Sequence, residues 1–580
     1  MLSELLDAAR ADKVLWVPDL REKFLQDPAA RPMVLRLTLH GGEQRDYPCA
    51  IPRWENEAER AFAAEFLYAS VYNILAACSG RELRLFFDLA DQELAALWES
   101  LDPVFQVHEK ARRGYGKVVN IADRIAGSCG GPAFSFARED IKAHVPLPER
   151  GRKEPAPLSE KLRALKKEAA GRALCGVDVG GTDIKLAASI GDRLLCTKEY
   201  DWNPAACATA EEITGPILLL TRLMRACVAA ERALLPVSVS AGLEAALEKD
   251  APDGLIRAVV QEAEDCLGPA VDVLDGVGLS FPDVVIADRI LGGETPKTDG
   301  MRRNRGRDYE TEFKKLSGLK EALLKLCRAG GRVRITNDGS MAAFTAAMEL
   351  AAGGEGEALQ KGVVAHSLGT DLGTGFLTPE GTILALPMEM YDLILDLGSR
   401  VSRAFPPEDL RSTRNQNSGL PGARRYMGQA AAYRLAWKRN CLLMDGFTQE
   451  DGDLLTVPTE PQDLRKPCLE HLMQKAETGD TDACAVFREI GASLAAVTRE
   501  MQFLLRPEAD ARYLFGRFVK RPGVFALLKE GFCAGVAWID LIPSDEGLAN
   551  TPLMRALAAL PGVTVAQFGQ AVGSIYFALS

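Results

Sequence analysis

Two hydrophobic periods alternate along the chain. Residues 33–39 switch apolar and polar in turn, as a half-buried strand does, and Gly41-Gly42 follows as a turn. Residues 58–77 and 91–99 have helical spacing, with Phe62, Phe66, Leu67, Val71, Ile74 and Leu75 on the core side of the first helix. A charged helix is predicted over 158–170. Strands are then predicted over 173–179, 185–190 and 194–200, a long helix over 211–234, and further strands over 273–281 and 332–335. Residues 363–377 read as strand, Gly-Thr turn and strand, and 382–386 extend that sheet. Strands alternating with helices predict an α/β class of fold.

The proline-rich polar stretch 146–157 reads as a linker and sets a boundary near residue 150. Residues 1–150 are expected to form an N-terminal α+β accessory domain with apolar content sufficient for its own core. Its role is unassigned. Residues 165–580 form the main domain. A locally basic stretch at 109–117 is read as a solvated loop, with a phosphate or partner site as the alternative.

Composition narrows the function classes. A formal net charge of −11 argues against nucleic acid and anionic membranes as partners. The 13 cysteines form no Cys-x-x-Cys pair and read as reduced thiols, and 5 histidines without His-Glu-x-x-His argue against zinc. The N-terminus is acidic and amphipathic, unlike a signal peptide, and no apolar run is read as a membrane span. The expected location is the cytoplasm, and self-association stays open.

Four segments carry candidate chemistry. In Cys175-Gly-Val-Asp-Val-Gly-Gly-Thr-Asp-Ile-Lys185 a strand ends at Asp178 and turns through Gly180, Gly181 and Thr182. Such a turn can present N–H groups to a phosphate, with Asp178 holding Mg²⁺ through water; an ordinary Gly-Gly hairpin fits equally. In Arg332-Val-Arg-Ile-Thr-Asn-Asp-Gly-Ser-Met-Ala-Ala-Phe344, Asp338 stands at a strand end as a general base or as a helix cap. Gly369, Thr370, Gly373 and Gly375 form a second phosphate turn or a plain glycine-rich hairpin. The strand Gly276-Val-Gly-Leu-Ser-Phe-Pro282 ends in a polar Ser280.

In this order the four segments resemble the sugar kinases of the actin-like ATPase superfamily, specifically hexokinases and the bacterial ROK proteins. The resemblance covers roughly residues 172–580. It implies two actin-like, ribonuclease H-like lobes with a cleft between them, ATP and Mg²⁺ as cofactors, and a small-molecule sugar as acceptor. It implies Asp338 as the base and Asn337, Ser280 and Glu389 as sugar contacts. Asp178, Gly180, Gly181, Thr182, Lys185, Gly369, Thr370, Gly373, Gly375 and Gly516 would serve the nucleotide. Thr295 and Lys297 lie where hexokinases place a Thr-Lys sugar contact.

Several positions depart from the family pattern. Leu386-Pro-Met-Glu-Met-Tyr-Asp392 stands in place of a Gly-Glu-x-Gly-His motif, and the zinc cysteines that follow it in ROK proteins are missing. Leu514-Phe-Gly-Arg-Phe518 keeps one adenosine-site glycine of two, and Gly569-Gln-Ala-Val-Gly573 resembles the C-terminal helix. The stretch between Asp178 and Asp338 is longer than in a compact ROK kinase. The resemblance implies a hexose or N-acetylhexosamine kinase. The alternative is a non-catalytic sugar- or nucleotide-sensing protein on the same fold.

Overall fold

A computed structural model describes residues 1–105, 118–148, 157–268, 273–292, 296–369, 372–441, 465–544 and 546–580. The basic stretch 109–117, most of the 146–157 stretch, Thr295 and Thr370 lie outside the described residues.

Strands β1 (Arg31–Thr38), β2 (Gln44–Ile51), β3 (Glu82–Phe87) and β4 (Ser135–Asp140) form a sheet in the order β2-β1-β3-β4. The predicted turn joins β1 to β2, with Gly42 at φ 87°, where a side chain is disfavoured. The helix Glu57–Cys78 starts where Asn56 accepts a hydrogen bond from Glu59 N, and the acidic Glu57 and Glu59 suit its positive end. All six apolar residues expected in its core face are at most 1% exposed. Burying each contributes about 1.5–3 kcal/mol before entropy is counted.

This helix and the helix Ala210–Glu231 each have 22 residues and a mean hydropathy of 1.4, enough to cross a membrane by length and composition. They correct the expectation that no run reaches that length. Both are packed against other elements of the protein. The core around Glu57–Cys78 is shared with the C-terminal part of the chain. Phe24, Tyr47 and Phe66 pack in one cluster with Leu395, Tyr426, Phe487, Leu494 and Met501.

The second sheet contains β5 (Ala173–Val179), β6 (Asp183–Ile190), β7 (Arg193–Asp201) and β8 (Leu274–Phe281). After a short ribbon, β9 (Val285–Ile286) and β10 (Arg289–Ile290), it is completed by β11 (Cys327–Asn337). Its order is β11-β8-β5-β6-β7. Because β5, β8 and β11 run parallel, their carboxyl ends meet: Asp178 pairs with Ser280, and Ser280 with Thr336, the residue before Asn337. Ligand sites of α/β sheets form at such ends. Three helices, Ala210–Glu231, Val237–Leu247 and Asp253–Leu267, lie between β7 and β8.

The third sheet has the order β13-β12-β14-β15, from β12 (Val363–Leu368), β13 (Leu372–Leu377), β14 (Ala511–Gly516) and β15 (Asp540–Pro543). Residues 382–386 do not extend it as expected; Ile383 makes an isolated bridge to Leu377. The helices Asp338–Gly353 and Val565–Phe577 pack on each other between the second and third sheets. The C-terminal helix lies so close to β8 that a Cβ on Gly278 would stand 1.8 Å from Ser574 O.

Candidate active site

The carboxyl ends of β5, β8, β11, β12 and β14 border a cleft of about 430 Å³. On one wall, Gly180 N donates to Asp183 O at 2.8 Å and closes a two-residue turn through Gly181 and Thr182. Trp202 ties back two carbonyls of this turn: its Nε1 donates to Gly180 O at 3.1 Å and its backbone N to Thr182 O at 3.0 Å. Beneath the turn, half-buried Asp178 faces Lys185 across the β5–β6 register and Ser280 across β5–β8. Burial pushes the Asp178 carboxyl up to about 6, while the Lys185 ammonium and the Ser280 hydroxyl pull it the other way. Lys185 itself pairs with Asp183.

Asp338 begins the helix between the sheets, and its neighbour supplies the cap. Asn337 Oδ1 accepts from Gly339 N at 2.9 Å, and Asn337 Nδ2 donates to Asp283 O at 2.9 Å. Asp338 Oδ1 also accepts from Gly339 N at 2.8 Å, while Oδ2 lies 3.6 Å from Lys297 Nζ. Lys297 passes over the glycine turn: a Cβ on Gly181 would stand 3.4 Å from Lys297 Cε. A Cβ on Gly373 would stand 3.3 Å from Asp338 Oδ1. Asp338 therefore sits at a helix N-terminus, between a lysine that reaches the first turn and the backbone of the second.

Glu389 forms part of the floor. It is 4% exposed, and its Oε2 has no hydrogen-bond partner among the described residues. Burial pushes its carboxyl well above the usual carboxylate range. Tyr391 opposes this by a hydrogen bond, and Asp283, Asp392 and Asp338 reinforce it. That shift favours the protonated carboxyl, the form that has an O–H to donate.

Asp178, Gly180, Gly181, Thr182, Lys185, Lys297, Asn337, Asp338, Gly369, Gly373, Glu389 and Gly516 all border the cleft. Two expected residues do not. Ser280 is fully buried under Asp178, and Pro282 and Asp283 reach the cleft in its place. Gly375 faces the Asp338 helix, where a Cβ would stand 2.0 Å from Gly339 O, so its lack of a side chain serves packing. Gly516, at φ 115° and 2.1 Å from Leu368 O by the same measure, holds β14 against β12 where both open onto the cleft.

The sequence reading missed Asp283, Lys249, Gln429, Lys520, Gln567 and Gln570. Asp283 follows the Ser280-Phe-Pro282 strand end, and Gln567 and Gln570 share one face of the C-terminal helix at a spacing of three. Both signals were present in the sequence. Lys249 pairs with Glu199 at 3.1 Å, and Glu199 also accepts from Gln567 Nε2 at 2.6 Å, which ties the segment between the helices Val237–Leu247 and Asp253–Leu267 through β7 to the C-terminal helix.

The donor set suits Mg²⁺ better than a protein-caged metal. Among the described residues no group of three or more His, Cys, Asp or Glu could hold a metal ion. Mg²⁺ keeps several waters and needs one or two carboxylates beside substrate phosphates. Asp178, a carboxyl that burial makes costly to ionise, would gain from such an ion.

No family model matches the chain, and no curated protein matches it. Among solved structures, a ROK family glucokinase from Streptomyces griseus in complex with glucose and AMPPNP is 17% identical, with 70% of this chain and 99% of that chain covered and a TM-score of 0.37. The ROK hexokinase from Thermus thermophilus is 14% identical over 70% and 97%, with a TM-score of 0.38. A glucokinase from Balamuthia mandrillaris in complex with glucose is 12% identical over 72% and 98%, with a TM-score of 0.40.

Proposed function

We propose that the chain is an ATP-dependent kinase that phosphorylates a hydroxyl of a small sugar held between two actin-like lobes. The observation that carries this reading is the position of Asp338, at a helix N-terminus between two glycine turns, with Lys297 spanning from it to the first turn. Phosphoryl transfer needs positioning and charge neutralisation more than covalent help. Asp338 Oδ2 takes the proton of the attacking hydroxyl. Lys297, 3.6 Å from that oxygen, meets the transferred phosphoryl group as it arrives.

The turn at Gly180–Thr182 and the strand ends at Gly369 and Gly373 donate N–H groups to the phosphates. Asp178 is the carboxylate that would hold Mg²⁺, with Lys185 across the β5–β6 register from it. Mg²⁺, when bound, neutralises phosphate charge. Gly516 flanks the adenosine. Glu389 donates its proton in a hydrogen bond to an acceptor oxygen. Asn337, with each side-chain atom already bonded once, has one N–H and one lone pair left for the acceptor.

A screen of ATP consumption over hexoses and N-acetylhexosamines, with and without Mg²⁺, tests the reading. Stoichiometric sugar phosphate that requires Mg²⁺ is expected. Thermal stabilisation by a sugar without turnover would replace the kinase with a sugar sensor.

A further inference from the structure

Residues 386–399 bring Met388, Glu389 and Tyr391 to the cleft, and every one of them is buried. Their only regular element is a 3-10 turn, Met390–Asp392, and Met388 is held at φ 50°. A buried backbone outside sheets and helices must find its hydrogen bonds elsewhere. Here the N-terminal block supplies them.

The helix Glu57–Cys78 ends against this segment. The last carbonyls of a helix have no partner within it. Ala77 O accepts from Met388 N at 3.0 Å, and Ala76 O accepts from Glu389 N at 3.1 Å. One turn earlier is Asn73, 0% exposed. Its Oδ1 accepts from Ile394 N at 2.8 Å, and its Nδ2 donates to Ile394 O at 2.9 Å, as a neighbouring strand would. The same Nδ2 donates to Glu500 Oε1 at 2.9 Å, and Arg21 grips both oxygens of Glu500 at 2.6 and 2.7 Å. Tyr72 donates to Asp392. Further along, Val17 N donates to Leu395 O at 2.9 Å and Leu397 N to Leu15 O at 3.0 Å.

We infer that Asn73 is a positioning residue for the acceptor side of the cleft, and that the N-terminal block completes the acceptor pocket by fixing where the Glu389 carboxyl stands. The term acceptor rests on the kinase reading above; the mechanical claim does not. Asn73 touches no reacting group. It acts through the Ile394 backbone and the two helix-end carbonyls, which together set the register of the Met388–Glu389 wall. Glu389 Oε2, buried and without a hydrogen-bond partner among the described residues, is the atom whose place this register decides. The nucleotide side, from Asp178 to Thr182 and at Gly369 and Gly516, belongs to the second and third sheets. The effect should therefore fall on one substrate only.

The test uses the full chain with Asn73→Ala. The KM for the sugar should rise by about 10-fold to 10²-fold, the effect of a displacement near 1 Å, while the KM for ATP stays within about twofold. Amide exchange at Met388, Glu389 and Ile394 should quicken, with no change in the helix Val565–Phe577. Equal changes in both KM values overturn the inference, as does either readout without the other. If Asn73→Ala does not fold, Tyr72→Phe, which keeps the ring packing and removes the Asp392 hydrogen bond, is subjected to the same two measurements under the same criteria. If the unaltered chain phosphorylates no sugar, the kinase reading fails and exchange alone decides the positioning: unchanged protection at Met388 and Glu389 sinks it, and loss confined to 386–399 sustains it.

Discussion

Asp178→Asn should make the protein more stable and remove its response to Mg²⁺-nucleotide. Ionising a carboxyl held at about 6, rather than at its ordinary 3.8, costs the folded state about 3 kcal/mol at neutral pH. The sign follows from proton uptake. The folded state keeps this proton to higher pH than the unfolded state does, so stability falls as pH rises from about 4 to about 6 and the penalty is complete above that window. Asparagine has the same shape and no charge to ionise. Its amide oxygen can still accept from the Ser280 hydroxyl, though more weakly than a carboxylate, and Lys185 keeps Asp183 as its partner. The net gain expected in urea denaturation is then about 1–2 kcal/mol at neutral pH, shrinking as the pH is lowered through the window. Thermal shift with ATP and Mg²⁺ reads the functional half: a stabilisation seen in the parent should vanish in the variant. A variant that is less stable at neutral pH, or whose difference from the parent is independent of pH, would refute the reasoning from burial. A retained Mg²⁺-dependent shift would remove Asp178 from the metal site.

Asp338→Asn should lower kcat by about 10²- to 10⁴-fold without unfolding, because Asn337 carries the helix cap; near-normal turnover would reduce Asp338 to a helix-end residue. Glu389→Gln should keep the sugar KM close to that of the parent, since burial favours the uncharged carboxyl and the amide keeps a donor in its place, whereas Glu389→Ala should raise it by about 10-fold or more; equal effects of the two, read by steady-state kinetics, would deny Glu389 its donor role. Gly375→Ala should destabilise by about 2 kcal/mol or more, because its Cβ meets backbone at 2.0 Å, while Gly181→Ala, 3.4 Å from a flexible lysine end, should spare folding and weaken nucleotide binding; denaturation and nucleotide titration of the pair separate the two roles. Residues 1–148 expressed alone should fail to give a cooperative unfolding transition, because Phe24, Tyr47 and Phe66 would lose the C-terminal half of their core; a sharp transition would show that the block is self-sufficient.

The strands around the cleft were legible because each is written twice, once as a short apolar run and once as a polar residue where the run stops. Asp178 and Asn337 are such stops, and the parallel register makes stops on separate strands into neighbours. The same rule misplaced Ser280. On an inner strand both faces are covered, so a polar stop can be buried under its neighbour's side chain, and only the register decides which residue emerges. Gly375 failed for a different reason. A missing Cβ can present an N–H to a phosphate or admit a helix at van der Waals distance, and the letter is identical in the two cases. Lys297 was read from a resemblance, with a proline against it, and packing delivered it to Asp338 through a short 3-10 turn, Pro296–Thr298.

Least legible was the wall that carries Glu389. Residues 386–399 have apolar content but no period, because their backbone is paired to distant partners: Ile394 to Asn73, 321 positions away in sequence, and Leu397 and Ser399 to Leu15 and Lys13, further still. No local pattern can encode such pairing. One sign of it was nevertheless present in the partner helix. From Phe62 to Leu75 the apolar positions occupy more than one stripe, and the buried set of Glu57–Cys78 runs through every residue from Ala69 to Cys78. A helix on the surface of a free-standing domain needs one apolar face. A helix apolar on all sides must be covered on all sides, and the sheet β2-β1-β3-β4 can cover only one of them. The remaining face therefore required a second partner beyond the N-terminal block, and the structure supplies it as the wall of the cleft.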